Sequence, residues 1–251
     1  MLNVIFKSML ITSIRDKITL FYSLMFPLIL MLGLGLYFDS PDMKLNIVSG
    51  VTAISTIFWG MQGIAFQVHF QRNKGVYKLL KLTPMPTISF ICVMTAARTV
   101  IGLVLNMIVW IIGMVFLKFD LTLTNILITS LLIAVGLLSF TAIGFFIANL
   151  ANNEGQINMF SNLLQLPMIF MSEAFYKLNS APNWVVATGK LLPFEHYVKA
   201  LKGAINGMDD ALLLGFLIPL LYMVIAILLS VLTFRWEANG TTIKSRKKLS
   251  A

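Results

Sequence analysis

The chain has 251 residues, of which 58% are hydrophobic and 12% charged, with a net charge of +9. About a quarter of a soluble domain is charged, so this balance, with a mean hydropathy of +0.88, excludes a soluble globular enzyme and indicates a single integral membrane domain. The Lys and Arg excess then reads as cytoplasmic loop charge rather than as a nucleic-acid footprint, and one cysteine, Cys92, allows no internal disulfide.

Residues 1–19 open the chain. Leu2, Ile5, Phe6, Met9, Leu10, Ile14 and Ile18 recur at helical spacing, with Lys7, Ser8, Thr12, Arg15, Asp16 and Thr19 on the other side. This pattern fits a helix lying in the membrane interface; it also fits an extension of the first span. The charges mixed into it are unlike a cleavable signal peptide. Spans need about 20 mostly apolar residues, and six stretches qualify: 20–38, 47–68, 87–117, 121–149, 157–172 and 211–234. The third and fourth are long enough to tilt. The fifth is short and contains Pro167. The expected fold is all-α: six transmembrane helices, an N-terminal interfacial helix and an outer helical hairpin before the last span.

Orientation follows from the basic residues. With the N-terminus inside, the inner segments hold Lys7, Arg15, Lys17, Arg72, Lys74, Lys78, Lys81, Arg235, Lys244, Arg246, Lys247 and Lys248. The outer ones hold only Lys44, Lys118, Lys177, Lys190, Lys199 and Lys202. The positive-inside rule places both termini in the cytoplasm, with the acid-free connection 69–86 and the basic tail 235–251.

The outer segment 173–210 predicts two short helices. Pro182 opens Asn183 to Leu191, and Pro193 opens the second, since proline suits the first helical turn. Glu195 stands near the positive end of the second helix dipole. Phe194, Tyr197, Val198, Leu201, Ala204 and Ile205 form its apolar face, with Glu195, Lys199, Lys202 and Asn206 mostly opposite. A hairpin dipping into the outer leaflet and two helices resting on the surface both fit.

Catalytic signals are missing. "TGKL" at Thr188–Leu191 fails as a phosphate loop, because Leu191 follows Lys190 and Trp184 stands where the first glycine is needed. His69 and His196 make no zinc site, and no pair of carboxylates lies within a span. Polar side chains inside spans are sparse: Gln62, Gln67, Arg98, Asn106, Asn158, Asn162 and Gln165. Such groups either line a pathway or hold helices together. Asn158, Asn162 and Gln165 share one face of the fifth span and are the pathway candidates. Arg98 is expected to snorkel to the cytoplasmic surface.

Two motifs carry a resemblance. "QRNKGVYKLLKLTP" follows the second span, and its Arg72, Gly75, Leu80, Thr83 and Pro84 fit a pattern frequent in type-2 ABC transporter permeases. "SEAFYKLNSAPNWVVATGKLLPFEHYVKALKG" fits a later pattern of that family through Ser172, Phe175, Pro182, Trp184, Pro193 and Tyr197, with Lys202 near its basic position. Gln71, Asn73 and Lys78 stand where the family often has acids, and Lys177 replaces a proline. The chain thus resembles the membrane subunit of an exporter over nearly its whole length.

The resemblance implies a coupling helix at Arg72–Lys81 seated in a groove of a separate ATPase, with Thr83 and Pro84 closing it. Tyr77 and Leu80 are then the expected apolar anchors, with Arg72, Lys74 and Lys78 at the rim; a solvated basic loop explains the charge alone. It also implies a homodimer or heterodimer with a related permease. ATP and Mg would be bound by the partner ATPase and no cofactor by this chain. The path would carry a peptide, drug or lipid-like cargo. The rival readings are a non-transporting membrane scaffold or immunity protein, and an ion-coupled secondary transporter, which would need intramembrane acids.

Overall fold

The computed structural model describes residues 2–15, 17–81, 86–176, 181–207 and 211–235, and all regular structure among them is helical. Helix α1 (Leu2–Arg15) precedes α2 (Lys17–Tyr37), which contains Pro27. Ser40 then starts α3 (Pro41–Ile57): its hydroxyl accepts the Met43 N–H at 3.3 Å, with Pro41 and Asp42 in the first turn. That cap lies outside the apolar window 47–68, so the helix begins earlier than the expected span. It continues through a π-helical turn (Phe58–Gln62) into α4 (Gly63–Asn73), as one rod of 33 residues and about 50 Å.

The expected Arg72–Lys81 helix is interrupted. α4 runs through Asn73, Gly75 adopts φ +75°, and a separate α5 spans Val76–Lys81. Only glycine enters that left-handed region without cost, so Gly75 sets the corner. Thr83 and Pro84 lie outside the described residues. Next come α6 (Thr87–Phe116) and α7 (Leu123–Leu150), the latter capped by Thr122. α8 (Glu154–Phe170) opens with a reciprocal cap: Asn153 accepts the Gln156 N–H, and the Gln156 side chain accepts the Asn152 N–H. α9 (Asn183–Leu191), α10 (Pro193–Asn206) and α11 (Ala211–Thr233) complete the order, and the hairpin pair begins at the two prolines as expected.

α7 is the central post, packed by α11, α6, α4, α10 and the π turn. Its apolar window is 78% buried against 17% for α11, so α11 keeps most of its surface for lipid. Among the described residues, four helices are long and apolar enough to cross a membrane: Pro41–Asn73, Thr87–Phe116, Leu123–Leu150 and Ala211–Thr233. The expected spans at 20–38 and 157–172 form shorter apolar or amide-bearing helices and do not reach that standard among the described residues.

Candidate functional site

The π turn organises a polar seam in the bundle. A π turn shifts the hydrogen-bond ladder from i+4 to i+5, and two carbonyls there take side-chain donors from other helices. Gln165 Nε2 on α8 donates to Ile57 O at 3.4 Å, and Arg98 Nη2 on α6 donates to Trp59 O at 3.3 Å. Arg98 also donates to Gln67 Oε1 at 3.2 Å and lies over the Trp59 ring, 3.8 Å from its centroid. The indole returns a bond to Arg98 O at 3.3 Å. A Cβ on Gly63 would stand 1.8 Å from Arg98 Nη2, so glycine is what admits the guanidinium. Arg98 therefore does not snorkel. It is 4% exposed and ties α6 to the π turn.

α10 enters the same seam. Tyr197 is fully buried, its hydroxyl 3.1 Å from Thr56 Oγ1, which lies 3.2 Å from Asn106 Oδ1; Asn106 Nδ2 donates to Gly102 O at 2.8 Å. Thr56 lies about 22 Å along the rod from Pro41, close to its middle. Phe194, Val198 and Leu201 are buried as well, against α3, α7 and α11. α10 is thus a packed element of the bundle and not a helix laid on its surface. α9 is peripheral: it buries Gly189 and leaves Trp184 exposed, and Pro182 is exposed beside it.

Glu195 departs from the expected polar face. It is 1% exposed because partners surround it: the Glu173 N–H at 2.7 Å and Lys199 Nζ at 2.9 Å. Lys199 also stands 3.7 Å from Glu173, and Lys202 3.8 Å. Burial pulls the Lys199 amine down, but the hydrogen bonds and charges of Glu195 and Glu173 outweigh it and leave the amine above its ordinary value.

At the other end of the rod, the basic stretch divides. Lys74 and Lys78 are exposed, whereas Arg72 and Tyr77 turn inward. Arg72 donates to Ala148 O and Asn149 Oδ1, each at 2.8 Å, and Asn149 Nδ2 donates to Ser230 O at 3.1 Å. The last four carbonyls of a helix lack intrahelical donors, and a cation there also suits the dipole. Arg72 is the cap of α7. Tyr77 packs edge-on to Phe90 at 5.1 Å, near Phe234, and donates to Gln71 Oε1 at 3.1 Å. Its burial pushes the phenol above its ordinary pKa. An expected anchor for a partner is therefore a core residue of this chain, and the Leu80 side chain lies outside the described residues.

The three amides of α8 follow one edge of the rod. Gln62 Nε2 donates to Asn158 Oδ1 at 2.9 Å, Gln165 reaches Ile57, and Asn162 between them is exposed. A cavity of about 690 Å³ lies between the rod and α1, α2 and α6, and Gln62 borders it as well as meeting Asn158. No metal-binding group of His, Cys, Asp or Glu occurs among the described residues. Sequence reading missed the inward roles of Arg98, Tyr77 and Asn149; the aromatic Trp59 near Gly63 was the available signal for the first.

A family model described as "ABC-2 type transporter" matches residues 2–206. No curated protein matches the chain.

Proposed function

Because the chain belongs to the ABC-2 type transporter family, whose membrane domains are non-catalytic and leave ATP binding to a separate ATPase, we propose that it is the permease subunit of an ATP-driven exporter. It is a multi-pass membrane protein and acts as one domain over 1–251. Both termini are cytoplasmic, the six helical stretches cross the bilayer, residues 173–210 form an outer hairpin, and the basic tail 235–251 lies inside. The chain pairs with a second copy or a related permease, and two ATPase subunits, which bind ATP and Mg, dock on the cytoplasmic side.

The observation that carries this reading is the corner between α4 and α5. Gly75 turns the chain there, Lys74 and Lys78 face outward, and Arg72 grips the end of α7. A push on α5 would reach the central post through Arg72, so nucleotide closure would shift the bundle between two arrangements. Lys74, Lys78, Leu80, Thr83 and Pro84 form the contact with the ATPase; Arg72 and Tyr77 hold the corner in place. The edge bearing Asn158, Asn162 and Gln165 lines the path for an amphipathic peptide, drug or lipid-like cargo. Exposed Met159, Leu163 and Phe170 beside those amides support an apolar cargo or a second permease on that face.

Co-purification tests this. With Lys74→Glu and Lys78→Glu together, the permease is expected in the membrane at normal level without its ATPase, and stimulated hydrolysis is lost. An ATPase that stays bound and stimulated removes the corner from the interface.

A further inference from the structure

The cavity beside the rod has an order along its length. Phe58, Gln62, Phe66, Phe70 and Lys74 recur at four-residue spacing and all line it. Residues four apart are neighbours on a helix, so they form a row that winds along the rod and rises about 24 Å from Phe58 to Lys74. Half of a bilayer of about 40–45 Å has nearly the same depth. Phe66 and Phe70 stack at 6.3 Å between ring centroids, yet Phe70 remains 47% exposed and Phe26, on the facing α2, 57% exposed. Apolar ring surface therefore stays open to a guest along the wall.

The Lys74 end is polar. Thr12, Ser13, Gln67 and Gln71 line it with Lys74. Arg98 also borders the cavity, but its Nη1 donates to Gln67 and its Nη2 to Trp59. Lys74 is exposed and makes no ion pair among the described residues. A cationic end and an aromatic wall match one chemical class, a phosphate-bearing amphiphile; the Thr12 and Ser13 hydroxyls and the Gln67 and Gln71 amides beside Lys74 donate to Ser8 O, Gln67 Oε1 and Met9 Sδ and keep that end polar. Basic pockets between membrane helices on the cytoplasmic side hold lipid headgroups by this combination, and a cavity of about 690 Å³ lies in the common range of about 300–1,000 Å³ for ligand sites.

We propose that this cavity holds one anionic glycerophospholipid of the cytoplasmic leaflet as a resident ligand, with its phosphate at Lys74 and its acyl chains along Phe66, Phe58 and Phe26. The leaflet rests on the topology given under the proposed function; the binding does not require the ATPase. The lipid fills the gap between α2 and the rod and thereby supports the π turn.

The test uses the intact permease, purified and exchanged into nanodiscs of dioleoyl-phosphatidylglycerol or dioleoyl-phosphatidylcholine, then released and weighed by native mass spectrometry. One phosphatidylglycerol per chain is expected to persist, at least fivefold over phosphatidylcholine. In the permease alone, retention should fall at least fivefold in Lys74→Gln, which removes the cation of the site, and in Ser23→Phe, which puts a ring into the cavity from α2. It should be unchanged by ATP turnover when the ATPase is present. Equal retention of both lipids, or retention undiminished in both variants, overturns the proposal. Release on ATP turnover also overturns it, because the lipid is then cargo. Lys74 serves both readings, so lipid retention in the variants is read on the permease without its ATPase and ATPase binding is read with Lys78→Glu alone; in that form the two readings fail separately.

Discussion

Arg72 and Asn149 are joined by a 2.8 Å hydrogen bond, and Asn149 passes the connection to Ser230 on α11. Three helices thus meet at one guanidinium just before the corner. Asn149→Ala is expected to lower stability by about 1.5–3 kcal/mol, the worth of a hydrogen bond to a charged group. Its more telling effect is on coupling: the ATPase should remain bound while transport per ATP falls severalfold. Thermal melting in detergent and paired hydrolysis and transport assays on one preparation check both parts.

Tyr77 separates a core role from an interface role. It is fully buried against Phe90 and Phe234, so Tyr77→Ala should destabilise the permease itself by about 3–5 kcal/mol. Tyr77→Phe keeps the ring, loses the bond to Gln71, and should cost only about 1 kcal/mol. If Tyr77→Ala melts like the parent but no longer binds the ATPase, the residue faces the partner and the burial is wrong.

The hairpin assignment rests on α10 being packed in the bundle. Leu201 is fully buried, and Leu201→Ala should cost about 2–5 kcal/mol, whereas Trp184→Ala on the exposed α9 should stay within about 0.5 kcal/mol. Similar melting temperatures for the two variants would return α10 to the surface.

Much of this hairpin was legible because Pro182 and Pro193 punctuate the sequence, and the apolar spacing of α10 gave its buried face. The fate of Glu195 was not legible, since its burial depends on the distant Glu173 N–H and on Lys199 together. The corner shows the same division. The sequence reading runs one helix from Arg72 to Lys81 through Gly75, where the chain in fact turns, and a sequence cannot show that Arg72 turns inward to the end of a helix 76 residues further on. The π turn had no signal of its own; Gly60 and Gly63 are compatible with an unbroken helix.

The Glu195–Lys199 pair predicts a pH dependence at the alkaline side. The Lys199 amine is held above its ordinary value, near 10.4 for an unfolded chain. A raised pKa means that the folded state holds the proton more tightly. The stabilisation is thus fully present below the unfolded value and is lost as pH rises through the folded one. The melting difference between the parent and Lys199→Gln should be constant from neutral pH to about 9.5 and shrink above about 10.5. Because Lys199 is partly exposed, the effect should also weaken with salt. A difference that grows with rising pH would contradict the assigned ion pair.

The most direct measurement is a photo-crosslink from the corner. A photoreactive residue at Lys78, exposed on α5, should give a covalent adduct of the permease with its ATPase in membranes. The same probe at Leu217, exposed on α11, should give adducts with lipid alone. Adducts of Lys78 with lipid only, in membranes where the ATPase is bound and active, would contradict coupling through this corner.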